Sequence, residues 1–140
     1  MKVAVIGLGV FGQTLAVNLA RAGIEVIAID SRPDAVSDVK DDVALAVALD
    51  STDEKALRSQ GIKEVDVLVS CIGGGNFEAN QLTVILAKKI GVRHVISRAS
   101  TQTHARILKL IGADFVFTPE VAAAESLARH ILKGSSETKK

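Results

Sequence analysis

Three glycines near the amino terminus have the spacing of a loop that holds a phosphate group. Gly7, Gly9 and Gly12 form Gly-x-Gly-x-x-Gly directly after the apolar run Val3-Ala4-Val5-Ile6, and an amphipathic segment follows them. In such a strand–turn–helix unit the first glycine allows the tight turn, the second lets backbone approach a pyrophosphate, and the third lets the helix pack on the sheet. The N–H groups at the helix start favour an anion. The motif therefore predicts a nucleotide or dinucleotide site.

A carboxylate at the end of the second apolar run fits the same site. Asp30 follows Ile29 in the sequence, about 20 residues beyond the glycines, where such a carboxylate can accept hydrogen bonds from ribose hydroxyls. It would also repel a 2′-phosphate, which favours NAD or an adenosine nucleotide over NADP. Arg32 lies two residues later and leaves NADP open, because it could pair with a 2′-phosphate.

Short apolar runs alternate with helical patterns along the whole chain. Strands are predicted over 3–6, 26–29, 43–49, 65–70, 94–97 and 115–117. The third run is apolar at every position, which predicts a strand covered on both faces. Ser51-Thr52-Asp53-Glu54 reads as a capping box that opens a short helix. The alternation predicts an α/β fold, a Rossmann-type doubly wound parallel six-stranded sheet in the order 3-2-1-4-5-6 with helices on both faces, over residues 1–133. Residues 134–140 are predicted to form a flexible polar tail.

The loops after the predicted strands should meet at one edge of the sheet, because right-handed crossovers bring the carboxyl ends of parallel strands together. A ligand would lie there, between strands 1 and 4. Ser51 and Thr52 could cap a helix only or also reach an adenine edge, and Arg98 could meet an anion or lie in solvent. The predicted cofactor-binding residues are Gly7, Leu8, Gly9, Val10, Phe11, Gly12, Asp30, Ser31, Arg32, Asp50, Ser51, Thr52, Ile72, Gly73, Gly74, Asn76 and Arg98.

Composition argues against several other classes of protein. The net charge is +1 and there are four Phe but no Tyr or Trp, which argues against nucleic-acid binding. The single cysteine, Cys71, allows no disulfide framework and reads as a small buried residue rather than a redox or catalytic thiol. No signal peptide or membrane-spanning run is recognisable, so we expect a soluble cytoplasmic protein. The three histidines are scattered, and we predict neither a catalytic residue nor a metal ligand.

Several segments beyond the glycine motif resemble one family, the TrkA-N or RCK domain, which regulates potassium conductance. The likeness covers residues 1 to about 133. It is carried by Val5-Ile6-Gly7-Leu8-Gly9-Val10-Phe11-Gly12, Ile29-Asp30, Leu49-Asp50-Ser51-Thr52, Gly61-Ile62, Ile111-Gly112-Ala113-Asp114 and Pro119-Glu120. The family often has an arginine where this chain has Val10. The preference for a triphosphate is therefore open, and Arg98 could compensate.

The resemblance implies a regulatory role. Domains of this family bind NAD(H) or an adenine nucleotide (ATP, ADP or AMP) and form homodimers, often within an octameric ring. The ring lies on the cytoplasmic side of a membrane potassium channel or transporter, which it gates through ligand-dependent geometry. Glu120 would then lie near the terminal phosphate of a neighbouring subunit's nucleotide, with or without a divalent cation. The helix after Pro119 would pack against its partner through Val121, Leu127 and Ile131.

An NAD-dependent oxidoreductase cofactor domain that lacks its substrate domain is the alternative, because such enzymes share the three glycines. Hydride transfer needs a substrate pocket and usually an acid or base beside the nicotinamide. The sequence contains no Tyr-x-x-x-Lys pair and no histidine placed for that role. We therefore expect a chain that is not an enzyme.

Overall fold

The computed structural model describes residues 1–138, and the side chains of residues 1–134. It contains six strands and six α-helices in alternation, with one short 3₁₀-helix, Ile62–Glu64. The strands are β1 (Lys2–Ile6), β2 (Glu25–Asp30), β3 (Leu45–Ala48), β4 (Val67–Ser70), β5 (His94–Arg98) and β6 (Phe115–Phe117). The helices are α1 (Val10–Arg21), α2 (Pro33–Ser37), α3 (Glu54–Ser59), α4 (Phe77–Ile90), α5 (Gln102–Leu110) and α6 (Pro119–Thr138).

All strands are parallel and lie in the order β3-β2-β1-β4-β5-β6, which confirms the predicted Rossmann-type sheet. β1 lies in the centre and pairs with β2 and β4. Since successive side chains of a strand point to opposite faces, β1 contributes to two cores. Ala4 and Ile6 join the one that includes α3, α4 and α5 residues, and Val3 and Val5 join the one formed with α1 and α2.

The prediction that the third strand is covered on both faces is wrong. Only Leu45–Ala48 of the predicted run 43–49 is a strand, and Leu45 is 43% exposed. β3 lies at the edge of the sheet, where it pairs with β2 alone. An all-apolar run is typical of a parallel strand at any position, so it could not distinguish an edge strand from a central one.

The predicted capping box is also wrong in its capping residue. Asp53, not Ser51, caps α3, and its carboxylate accepts a hydrogen bond from the Ala56 N–H at 3.2 Å. Ser51 is buried instead and points toward α4. Four polar residues in succession offer several possible caps, and burial of Ser51 decides among them. At α5, Thr101 is the N-cap residue, and its hydroxyl accepts a hydrogen bond from the His104 N–H at 3.0 Å.

α6 extends farther than the sequence predicts. It continues through Gly134 to Thr138, so the boundary placed at residue 134 lies inside the helix; residues 139–140 lie outside the described residues. A helix tolerates one glycine at a cost of about 1 kcal/mol. α6 also carries large exposed apolar side chains. They are Val121, Leu127, Ile131 and Leu132. Among the described residues, no helix is both long and apolar enough to cross a bilayer.

Candidate nucleotide-binding site

An open cavity lies at the carboxyl ends of the central strands, where the sequence predicted it. Its volume is about 570 Å³, within the range of small-molecule and cofactor sites. The loops after β1, β2, β3 and β4 surround it, together with the last residue of β5. The lining residues are Ile6, Gly7, Leu8, Gly9, Ile29, Asp30, Ser31, Arg32, Leu49, Asp50, Ser51, Thr52, Cys71, Ile72, Gly73, Gly74, Asn76, Ala79 and Arg98.

The three glycines of the Gly-x-Gly-x-x-Gly motif have different structural roles. Gly7 has a φ of +93°, and a Cβ there would lie 2.9 Å from the carbonyl carbon of Cys71. A Cβ at Gly12 would overlap the carbonyl oxygen of Gly7. The chain's own packing therefore requires both of these glycines. A Cβ at Gly9, in contrast, would have no atom within 4 Å, so the packing of this chain gives no reason for glycine there.

The space beside Gly9 is the approach to the amino-terminal end of α1. Gly9 is the N-cap residue of that helix, makes no side-chain cap and is followed by no acidic residue in the first turn. The first N–H groups of a helix have no partner within it, and the helix dipole adds a partial positive charge there. The absence of a side chain at Gly9 leaves room for an anion to reach these groups.

Asp30 fixes the first loop to the end of β2. Its Oδ2 accepts a hydrogen bond from the Leu8 N–H at 2.7 Å, and its Oδ1 accepts from the Arg32 N–H at 2.8 Å and from Arg32 Nε at 3.3 Å. Burial raises the pKa of Asp30, but these hydrogen bonds and the Arg32 charge outweigh it and hold the pKa below its ordinary value. The carboxylate is therefore ionised at neutral pH and has lone pairs left for a ribose hydroxyl.

The loop after β3 contributes a closed turn to the cavity wall. Oδ1 of Asp50 accepts hydrogen bonds from the Thr52 N–H at 2.9 Å and from Thr52 Oγ1 at 2.6 Å. These two bonds hold the pKa of Asp50 below its ordinary value. Ser51 lines the cavity, but its hydroxyl is 2.8 Å from that of Thr83 in α4. Asp50 thus remains charged at the cavity wall while Ser51 ties the turn to α4.

Arg98 lies against the second glycine loop. A Cβ at Gly73 would be 3.1 Å from Cζ of Arg98, so glycine makes room for the guanidinium. Nη2 of Arg98 donates to Oε1 of Glu120 at 2.7 Å, while its Nε is buried and has no hydrogen-bond partner. Cys71 is buried nearby, and desolvation raises the pKa of its thiol to about 12 despite the Arg98 charge. The thiol is neutral and Arg98 is the cation of this wall.

A buried polar network that sequence reasoning missed holds this wall in place. Oδ1 of Asn80 accepts a hydrogen bond from Ser70 Oγ at 2.5 Å, and its Nδ2 donates to Ser97 Oγ at 3.1 Å and to the Arg98 carbonyl at 3.0 Å. The network joins the ends of β4 and β5 to α4. An asparagine among the apolar residues of a buried helix face was the available signal, because buried amides need partners.

Four predicted residues do not line the cavity. Val10 is 88% exposed at the start of α1, and Phe11 packs against Phe117 with ring centroids 5.1 Å apart. Gly12 packs against the backbone of Gly7 and does not face the cavity. Glu120 is connected to the cavity wall through its hydrogen bond with Arg98. Five lining residues were not among those predicted to bind. They are Ile6, Ile29, Leu49, Cys71 and Ala79. Four of these lie at or directly after strand ends and Ala79 lies in α4, and small or apolar residues at such positions carry no chemical signal in the sequence.

The family follows from comparison with known proteins. The sequence model of the TrkA-N domain matches residues 3–119. The chain belongs to the TrkA-N domain family. It is 36% identical to Ktr system potassium uptake protein C of Bacillus subtilis over 132 residues, which cover 94% of this chain and 59% of that protein. It is 33% identical to Ktr system potassium uptake protein A of Vibrio alginolyticus, with coverages of 92% and 58%. The chain thus spans about six-tenths of the length of these relatives.

Solved structures show the same fold. The NAD(P)-binding domain of an exopolyphosphatase-related protein from Archaeoglobus fulgidus has a TM-score of 0.81 and 26% identity, with coverages of 94% of this chain and 97% of that one. The GsuK RCK domain has a TM-score of 0.80 and 23% identity, with coverages of 97% and 29%. GsuK has also been solved bound to ADP (TM-score 0.75, identity 24%, coverages 91% and 32%) and, as the channel, to NAD (0.72, 15%, 82% and 21%).

Proposed function

We propose that this chain is the nucleotide-binding regulatory domain of a potassium-uptake system. The observation that carries the proposal is a pair of features among the residues that line the cavity. Gly9 leaves the uncapped start of α1 open, and Arg98 has a buried Nε without a partner. Both features favour an anionic ligand. The relatives are Ktr system potassium uptake proteins, which gives the biological setting.

The proposed ligand is NAD(H) or an adenine nucleotide such as ATP, ADP or AMP. The first glycine loop would bind phosphate, Asp30 the ribose hydroxyls, and Asp50 with Thr52 the adenine edge. Gly73, Gly74 and Arg98 would bind the far end of the phosphate chain. The ionised carboxylates of Asp30 and Asp50 support hydrogen bonds from hydroxyl and amino donors. GsuK, which shares the fold, has been solved with both NAD and ADP.

The exposed face of α6 supports the proposed assembly into a homodimer, or an octameric ring of dimers. Val121, Leu127 and Ile131 are each more than half exposed, and Leu132 is 69% exposed. A run of large apolar side chains on one exposed helix is typical of a surface that a partner covers. We propose that Glu120 then approaches the nucleotide of the neighbouring copy. The assembly would lie at the cytoplasmic face of the membrane, bound to a potassium channel or transporter.

The charged groups of the cavity support a sensor rather than an enzyme. The two lining carboxyls have lowered pKa values and the one thiol has a pKa raised to about 12. General acid–base catalysis works best with a group whose pKa lies near the operating pH, and no histidine lines this cavity. Ligand binding would act instead by favouring one dimer geometry over another, which requires different affinities for the two.

Calorimetric titration of the purified chain with ADP, ATP and NAD tests the ligand, and sedimentation with and without each nucleotide tests the assembly. We expect binding of at least one nucleotide and a dimer whose sedimentation changes with the ligand bound. Absence of binding at millimolar nucleotide would contradict the proposed site. Steady oxidation of NADH with a small carbonyl substrate would instead support the oxidoreductase alternative.

A further inference from the structure

The ion pair between Arg98 and Glu120 links the cavity to α6. Nη2 of Arg98 lies 2.7 Å from Oε1 of Glu120, and the two side chains are 21% and 63% exposed. Glu120 is the second residue of α6. Within residues 119–133, this pair is the single side-chain hydrogen bond or ion pair that the structure records between α6 and the rest of the chain. The first turn of α6 is therefore held by a cation that belongs to the cavity wall.

The pair with Glu120 uses only one of two adjacent nitrogen donors of the Arg98 guanidinium. Its Nε and Nη2 lie on the same side and form a fork that matches two oxygens of one anion. Glu120 accepts from Nη2 alone, and the buried Nε has no partner. Leaving a buried donor unpaired costs free energy. An anion that met both nitrogens would remove that cost, so it would compete with Glu120 for the same cation.

A terminal phosphate is the nucleotide group best suited to this competition. It carries between one and a half and two negative charges near pH 7 and has three acceptor oxygens. Each phosphate of a dinucleotide such as NAD is bonded to a ribose and to the other phosphate, so it carries a single charge and has two free oxygens. The carboxylate of Glu120 carries a single charge as well and is mostly exposed to water. The terminal phosphate thus has the advantage in charge over both the carboxylate and the phosphates of a dinucleotide.

We propose, on the basis of the nucleotide site proposed above, that the Arg98–Glu120 pair is a latch. The terminal phosphate of a nucleotide takes the Nε–Nη2 fork of Arg98 and releases Glu120, which frees the first turn of α6. A ligand without a terminal phosphate leaves the latch closed. Since α6 carries the exposed apolar side chains, the latch makes the position of that surface depend on the kind of nucleotide bound.

Competition is tested by calorimetry on the full chain with Glu120→Gln. Loss of the competing carboxylate should raise the affinity for ADP about two- to fivefold, as expected for the loss of one exposed ion pair. The affinity for NAD should change less than twofold. Glu125→Gln, which removes an equally charged and exposed residue of the same helix, should change neither. In an Arg98→Gln background, Glu120→Gln should have no further effect on ADP binding.

Release is tested by hydrogen exchange of the amides of residues 122–128. ADP should speed their exchange in the wild-type chain, whereas NAD should not. Glu120→Gln should exchange at the faster rate without nucleotide. Equal exchange in Glu120→Gln and wild type, or an unchanged ADP affinity, would overturn the latch while nucleotide binding stood. A wild-type chain that bound no nucleotide would overturn the proposed function itself, and the exchange of ligand-free Glu120→Gln would still decide whether the pair holds α6.

Discussion

Alanine substitutions at Gly9 and Gly12 test whether Gly9 serves the proposed ligand while Gly12 serves the fold. The two residues lie in the same motif, three positions apart. A Cβ at Gly12 would overlap the Gly7 carbonyl oxygen, whereas a Cβ at Gly9 would have no atom within 4 Å. Gly9 has a φ of −74° and a ψ of −166°, which alanine adopts without strain. The same chemical change should therefore have opposite consequences at the two sites.

The expected magnitudes follow from these contacts. Gly12→Ala should lower the free energy of unfolding by about 3 kcal/mol, the upper range for overpacking, because the opposing atom is backbone and cannot rotate away. For a chain of this length that is about 9 °C in Tm. Gly9→Ala loses a better N-cap residue but restricts the unfolded chain, so the net change should stay within about 1 kcal/mol. If its methyl group displaces a phosphate from one N–H, nucleotide affinity should fall about tenfold to a hundredfold.

Thermal unfolding followed by circular dichroism, without nucleotide, measures the stability of both variants. Calorimetry with ADP and NAD at 20 °C, well below the unfolding transition, measures binding by Gly9→Ala. The reasoning would be refuted if Gly12→Ala melted at the wild-type temperature, since the packing argument would then be wrong. It would also fail if Gly9→Ala bound both nucleotides as tightly as the wild-type chain, because the open space at Gly9 would then have another cause.

Three further predictions concern Cys71, Asp30 and Asn80. The thiol of Cys71 has a pKa raised to about 12, so a thiol reagent at pH 8 should modify it only after the chain unfolds. The unfolded chain loses the thiol proton at a lower pH than the folded chain does. The free energy of unfolding should therefore fall as the pH rises above about 9. Asp30→Asn should lower the free energy of unfolding by about 1–2 kcal/mol at pH 7, and since the folded pKa is lowered, denaturant titrations should show this difference shrinking below about pH 4. Asn80→Ala leaves two buried serine hydroxyls without their amide partner and should cost about 2 kcal/mol by the same measurement, whereas a cost below about 0.5 kcal/mol would contradict the role given to the network.

The order of the sheet and the place of the cavity could be predicted from the sequence because both depend on local signals. Alternating apolar runs and helical patterns specify parallel strands with crossover helices, and the handedness of those crossovers sets where the strand ends meet. Gly7, Asp30 and Arg98 each follow or end such a run, so their convergence follows from the topology. The TrkA-N family resemblance could likewise be seen in short segments of the sequence.

The partners of the polar side chains could not be predicted from the sequence, because they depend on the tertiary structure. From the sequence, Ser51 could cap a helix, but in the structure it is buried and its hydroxyl pairs with that of Thr83. From the sequence, Arg98 could equally lie in solvent, but in the structure its guanidinium packs against Gly73, where a side chain would leave no room. The partner of Arg98, Glu120, lies 22 residues away in the sequence. Propensity and spacing act over a few residues, whereas these contacts depend on atoms that only the completed sheet and helices bring together. The sequence by itself therefore determined the fold and the sheet edge at which the cavity lies, and the tertiary structure determined which polar and charged groups of that cavity are paired and which have no partner.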